Sequence, residues 1–356
     1  MSLTTIRSPL IIPVFIPHEG CPHRCLFCNQ NPITGIEVKE STVTANDVSQ
    51  EIDKWLVRSP RHGRQVQAAF YGGSFTALPL ERQQELLEAV QPFLQNNKID
   101  FIRLSTRPDY INPGTAKFLW DYGVRVVELG IQSMHDSTLA ASGRGHTLAQ
   151  SVQALKILKT SKLQIGAQLM LGLPNETSTS TMRGVRLLAR LKPDFARLYP
   201  ALVIKGSGLA ALYAQKQYHP LTLNRTIILA AKIKDFLAQA GIPIIRIGLP
   251  PSTELQDSLI AGPYHPALGE LVAARIFFKR VRNILRQRSK KKHQLIIASR
   301  DRSIFYGQKK CSLQRLNNLG LLDGVEVLFA NKTRGQIELQ EIPAEGNSGG
   351  YMNIPG

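Results

Sequence analysis

Leu10-Ile11-Ile12-Pro13-Val14-Phe15-Ile16 runs directly into Pro17-His18-Glu19-Gly20-Cys21-Pro22-His23-Arg24-Cys25-Leu26-Phe27-Cys28-Asn29. The first run is apolar on both faces, which predicts a strand over 11–16 that is covered on both sides. The stretch that follows is a loop at the strand's C-terminal end, and it holds three of the chain's four cysteines. The same pattern recurs outward from here. Strand-like runs at 66–71, 101–105, 124–131, 163–170, 195–198 and 244–247 alternate with helical patterns. Val48, Ile52, Trp55 and Leu56 share one helical face, and Thr44 with Asp47 forms a capping-box pattern. A second helix follows Pro79 with Leu86, Leu87 and Val90 inward. In a third, Leu148, Val152 and Leu155 follow a Thr147 cap. Six or seven such βα units predict an α/β fold, a partial or full (β/α) TIM-like barrel whose chemistry sits in the loops after the strands.

The pattern changes after Pro250 and Pro251. A linker leads to a basic helix over 266–288, then a strand at 295–298, a helix at 303–317 and a strand pair at 325–329 and 336–339. The expected organisation is a barrel domain over 1–250, a small basic α+β C-terminal appendix over 251–345, and a Gly/Ser/Pro-rich disordered tail over 346–356.

Composition narrows the function classes. With 356 residues, 43% of them hydrophobic, the chain has enough apolar material for a large core, which excludes wholesale disorder. No apolar run approaches the roughly 20 residues that cross a bilayer, so no membrane association is expected. Four cysteines do not make a disulfide scaffold, and a reducing, cytoplasmic setting is expected. The net charge of +18 is concentrated: 275–315 carries fourteen Lys/Arg against one acid, Asp301. That density predicts a polyanion partner, with Lys279, Arg280, Arg282, Arg286, Arg288, Lys290, Lys291 and Lys292 as candidate RNA contacts. A solvated basic helix is the plainer alternative.

Cys21, Cys25 and Cys28 form a C-x3-C-x2-C triplet, which supplies three soft thiolates where a structural zinc site uses four ligands. Three thiolates on a cubic [4Fe–4S] cluster leave one iron open to a small molecule. Zinc completed by His18 or His23 is the alternative. Cys311, far away in the basic segment, reads as an ordinary buried or half-exposed thiol.

The triplet, with Phe27 before its last cysteine, resembles the signature of the radical S-adenosylmethionine (SAM) superfamily. Tyr71-Gly72-Gly73-Ser74-Phe75-Thr76 resembles the Gly-Gly motif that holds the methionine amino group. Thr106-Arg107-Pro108-Asp109-Tyr110, Val127-Glu128-Leu129-Gly130-Ile131-Gln132-Ser133, Arg144-Gly145-His146-Thr147, Met170-Leu171-Gly172-Leu173-Pro174 and Tyr199-Pro200-Ala201-Leu202-Val203 resemble successive blocks of the branch that holds the Elongator catalytic subunit. The resemblance covers about residues 11–250. It implies a cluster on Cys21, Cys25 and Cys28, and SAM held by Phe27, Gly72, Gly73, Ser74, Gln132, Ser133, Arg144 and Gln168. Gln132 and Arg144 would take its carboxylate end and Gln168 its ribose hydroxyls. Ser105 stands where relatives carry Glu, and Gln30 where coproporphyrinogen oxidases carry another Cys. No stretch resembles an acetyltransferase domain, so acetyl transfer is not expected.

What the resemblance implies is a radical enzyme. An external one-electron reductant would feed the cluster, SAM cleavage would yield a 5′-deoxyadenosyl radical, and that radical would take a hydrogen atom from the substrate. The expected substrate is RNA, in particular tRNA, presenting a base to the barrel mouth. The competing readings are a small-molecule or tetrapyrrole-like acid, and a non-catalytic iron–sulfur RNA-binding protein.

Overall fold

The computed structural model describes residues 8–17, 19–29 and 42–342. His18, Gln30 and the tail beyond Ile342, which the sequence reading singles out, lie outside the described residues. The chain divides into two compact units, 1–266 and 267–356.

The first unit is built on seven parallel strands: β1 (Leu10–Phe15), β2 (Val66–Tyr71), β3 (Phe101–Thr106), β4 (Val124–Gln132), β5 (Gln164–Leu171), β6 (Phe195–Pro200) and β8 (Ile244–Ile247). They pair in the order β1-β2-β3-β4-β5-β6-β8, each parallel to its neighbour, and curl into a half-barrel. Each predicted strand is present, with ends shifted by two residues at most. The inner strands β2 and β4 are buried almost throughout. The edge strand β1 alternates buried and half-buried residues, and β8 is half-exposed.

The helices start where the caps predict. Thr44 accepts from Asp47 N and Asp47 returns the bond, a complete capping box for Ala45–Arg58. Thr147 and Gln150 do the same for Leu148–Thr160, and Thr177 with Ser180 for Ser178–Leu191. Beyond Pro250 the chain stays with the first unit, because β9 (Leu259–Ala261) pairs antiparallel with β7 (Val203–Ile204). This pairing moves the boundary expected after 250 to Pro266/Ala267.

The second unit packs the helix Leu268–Arg286 on a three-stranded sheet, with Phe277, Phe278, Val281, Leu285, Leu295, Ile297, Phe305 and Leu316 as its core. The central strand is β10 (His293–Ala298). It runs parallel to β11 (Val325–Ala330) and antiparallel to β12 (Ile337–Glu341). The two last strands therefore flank β10 and do not pair with each other as the sequence suggested. The single helix expected at 303–317 is two, Arg302–Tyr306 and Cys311–Asn318, because Gly307, Lys309 and Lys310 all take positive φ.

Candidate active site

The strand ends of the half-barrel surround a cavity of about 1190 Å³, above the roughly 300–1,000 Å³ usual for small-molecule sites. Cys21, Cys25 and Cys28 line it. So do Phe27, Gly72, Gly73, Ser74, Gln132, Arg144 and Gln168. The tertiary fold thus brings all but one of the sequence-predicted site residues of this unit to one cavity. Ser133 is the exception. Gln132 takes a left-handed conformation (φ 64°) that turns the chain, and Ser133 N donates back to Ile131 O at 2.8 Å. Ser133 is buried beside Met134 and Glu176, outside the cavity.

The cysteine loop is held by backbone. Ser74 N donates to Glu19 O (3.0 Å), Leu26 N to Ser142 O (3.0 Å) and Leu209 N to Leu26 O (2.7 Å). A Cβ on Gly73 would stand 2.3 Å from Glu19 O, so this glycine lets the cysteine loop close on the end of β2. Gly73 therefore seats the loop as well as lining the cavity. His23 lies over Gly145, whose added Cβ would meet the His23 ring at 2.3 Å.

Arg144 crosses 119 residues of sequence to place Nη1 3.4 Å from Cys25 Sγ, while its Nη2 donates to Gly130 O at 2.7 Å. Gly130 gives it the space: a Cβ there would stand 2.8 Å from Arg144 Nη2 and 3.1 Å from Gln132 Nε2. Arg144 Nε and Gln132 Oε1 are buried without a hydrogen-bond partner. One is a donor and the other an acceptor, at the wall that carries Cys25, as required to grip a zwitterionic ligand. Burial pushes the Cys21 thiol above its ordinary pKa, and the positive charge of Arg144 opposes this. Among the described residues no three His, Cys, Asp or Glu side chains converge on a single metal ion. Ser74 is tied to Thr106 (Oγ–Oγ1, 3.3 Å), and Arg107 forks onto Asp109 through Nε (3.0 Å) and Nη2 (2.8 Å).

The cavity also holds a charge cluster to which the sequence reading gave no role. Glu128 forms ion pairs with Arg103 (2.8 Å) and Arg197 (2.8 Å) and accepts from Tyr71 Oη (3.0 Å). Arg197 Nη1 donates to Tyr199 Oη at 3.3 Å. Gly166 on the intervening strand β5 leaves the path open: a Cβ there would meet Phe195 at 2.4 Å and Glu128 Cγ at 3.1 Å. Burial, reinforced by the Glu128 charge, holds the Tyr71 phenol far above its ordinary range. For Arg197 burial acts downward, but Glu128 and the two tyrosines outweigh it and raise its pKa. The available sequence signal was a charged residue inside each of three largely apolar strands, Arg103, Glu128 and Arg197, with Arg125 a second one in β4.

In the second unit the predicted basic residues divide. Arg288 donates to the carbonyls of Leu285, Gly320 and Asp323, and Arg280 to that of Gly335. Lys291 pairs with Glu341. Arg286, Lys290 and Lys292 are exposed, and Lys279 is half-buried. Cys311 is exposed, more open than the sequence reading placed it.

A parallel half-barrel with a three-cysteine loop at its strand ends is the architecture of one enzyme class, and the comparisons agree. Residues 15–186 match the radical SAM superfamily and 193–277 the radical SAM C-terminal domain; the chain belongs to this superfamily and is a radical SAM enzyme. The cofactors of the superfamily are a [4Fe–4S] cluster and SAM. Over 62% of its length the chain is 27% identical to an uncharacterised protein of Methanocaldococcus jannaschii, covering 69% of that protein. Over 65% of its length it is 24% identical to a tRNA uridine(34) acetyltransferase of the same organism, and 25% identical to human Elongator complex protein 3. It spans 50% of each of those two proteins. Among solved structures, Elp3 of Methanocaldococcus infernus superposes with a TM-score of 0.61 at 20% identity, over 78% of this chain and 64% of that one. No helix of the described residues is long and apolar enough to cross a membrane.

Proposed function

We propose that this enzyme modifies RNA, with tRNA as its substrate, and that Cys21, Cys25 and Cys28 carry the cluster. The placement of Arg144 carries the cofactor assignment: one guanidinium touches Cys25 Sγ and stands beside Gln132, whose acceptor oxygen is unpartnered. The three thiols line one cavity, and three thiolates on a cubic cluster leave one iron open to a small molecule. When bound, the cluster and SAM supply hydrogen-atom abstraction after one-electron reduction by an external donor. The chain's own residues do the rest. Arg144 and Gln132 orient a carboxylate and an amino group, Phe27 packs one wall, and Gln168 offers a donor and an acceptor for hydroxyls.

Two observations support tRNA. Relatives named tRNA uridine(34) acetyltransferase are 24% identical to this chain over 65% of its length. The second unit adds a cationic surface suited to a phosphate backbone. Presenting one unpaired base to a recessed cavity is the general solution for chemistry on nucleobases. The test is a mass-spectrometric comparison of tRNA nucleosides from cells with and without the gene, joined to turnover of SAM by the anaerobically reconstituted protein. A nucleoside lost in the deletion and restored by the reconstituted enzyme is expected. Identical nucleoside profiles together with SAM turnover would overturn the tRNA assignment.

A further inference from the structure

Arg275, Phe278 and Arg282 stand at i, i+3 and i+7 of the helix Leu268–Arg286, so one stripe of this helix reads guanidinium, ring, guanidinium. From the helix Cys311–Asn318, Arg315 lays its guanidinium carbon 5.1 Å from the centroid of the Phe278 ring. Phe278 is buried, Arg275 and Arg282 are half-buried, and Arg315 is exposed, so Arg315 covers a buried ring between two half-buried arginines and its own charge stays open to solvent.

Among the described residues no acid forms an ion pair with any of them. The ion pairs of the second unit, among the described residues, are Lys291–Glu341, Lys332–Glu338 and Arg334–Asp301. Arg282 has only Asn283 Oδ1 at 3.3 Å, and its Nε is buried without a partner. Burial lowers the pKa of Arg275, and the charges of Arg315 and Arg282 lower it further, so the three groups feel one another. Like charges held this close by the fold cost stability, and a ligand that neutralises them recovers it.

We propose that Arg275, Arg282 and Arg315 form a phosphate-binding site that grips the backbone of bound RNA. Guanidinium forks match phosphate oxygens bidentately, which the lysines at 290 and 292 do not. Arg286, one turn beyond Arg282 on the same helix and exposed, extends the stripe. A lipid surface fits less well, because the large exposed apolar residues of this unit are the isolated Leu319 and Leu328.

The inference rests on the RNA reading above, and one titration separates the two. Binding of purified tRNA to the full chain is measured by fluorescence anisotropy at several salt concentrations. The proteins compared are the parent, the exposed-site variant R315Q and the triple variant R275Q/R282Q/R315Q. Circular dichroism confirms folding, and R315Q alone decides the matter if the triple variant unfolds. The parent is expected to show a steep negative dependence of log K on log salt. The triple variant should flatten that slope by about 2–3 and R315Q by about 1, with affinity at low salt down roughly tenfold or more in the triple variant. A parent that binds tRNA strongly alongside an R315Q and a triple variant of unchanged affinity and slope would overturn the site and leave the RNA reading standing. A parent without salt-dependent tRNA binding would overturn the RNA reading itself.

Discussion

Arg197 and Arg246 are Cα partners in the parallel pairing of β6 with β8, and both line the cavity, yet only Arg197 has a carboxylate. Arg246 is exposed and donates through Nε to Gly248 O at 3.3 Å. Two cations side by side on one face disfavour each other unless an anion joins them. Arg246→Gln is therefore expected to raise the half-saturating concentration of an RNA substrate about tenfold, equivalent to ~1.4 kcal/mol. Cleavage of SAM without RNA should stay within about twofold of the parent. Steady-state kinetics of both reactions, measured side by side, check this.

The cluster ligands give the plainest expectation. Cys25→Ala should purify folded but retain little iron or acid-labile sulfide after anaerobic reconstitution, and should not cleave SAM. Retained cleavage by that variant would overturn the ligand assignment. Cys311→Ala, in the other unit, should match the parent in iron content and turnover.

Gly130 tests the seating of Arg144. A methyl group at this position collides with Arg144 Nη2 and Gln132 Nε2. Gly130→Ala should weaken SAM binding by roughly tenfold or more through displaced donors, while the cysteines still take up iron. Equilibrium dialysis with labelled SAM, normalised to iron content, reads the effect.

Glu128 lies under two arginines, and its removal leaves buried charge uncompensated. Glu128→Gln should destabilise the chain by about 3–5 kcal/mol. Replacing the cluster together, Glu128→Leu with Arg103→Met and Arg197→Met, should recover most of that loss. Urea denaturation midpoints followed by far-ultraviolet circular dichroism distinguish the two variants.

Glu176, on the loop after β5, accepts from Gly172 N (2.7 Å) and Leu173 N (3.3 Å). Burial raises its pKa from 4.5 to about 7, against those two backbone donors and Thr181. Its folded pKa exceeds the unfolded value, so between pH 4.5 and 7 the folded chain holds a proton that the unfolded chain has released. This contribution is fully present below about pH 4.5 and is lost as the pH rises toward 7. Glu176→Gln should flatten the stability profile across that window, as measured by thermal melts at stepped pH.

The strands and capped helices were legible because each follows from local chemistry. Apolar runs bounded by turn residues marked β1 to β6, and Thr44 with Asp47 announced its helix by side-chain reach alone. The break at 307–310 was less legible: Gly307 is its only weak helix former, and Lys309 and Lys310 take positive φ although lysine has no local preference for it. The central place of β10 was hidden too, since strand order depends on contacts between distant segments.

The sequence by itself determined the βα order, the cysteine triplet, the family resemblance and the concentration of charge beyond residue 274. These are properties of neighbours along the chain. Only the tertiary structure decided that Arg144 reaches Cys25, that Ser133 turns away, that Gly166 opens the path from Arg197 to Glu128, and that Arg315 lies over Phe278 on the helix of Arg275 and Arg282. Each is a contact between separate strands or helices. It is set by how side-chain volumes fill the space between elements, and the order of residues does not display that packing.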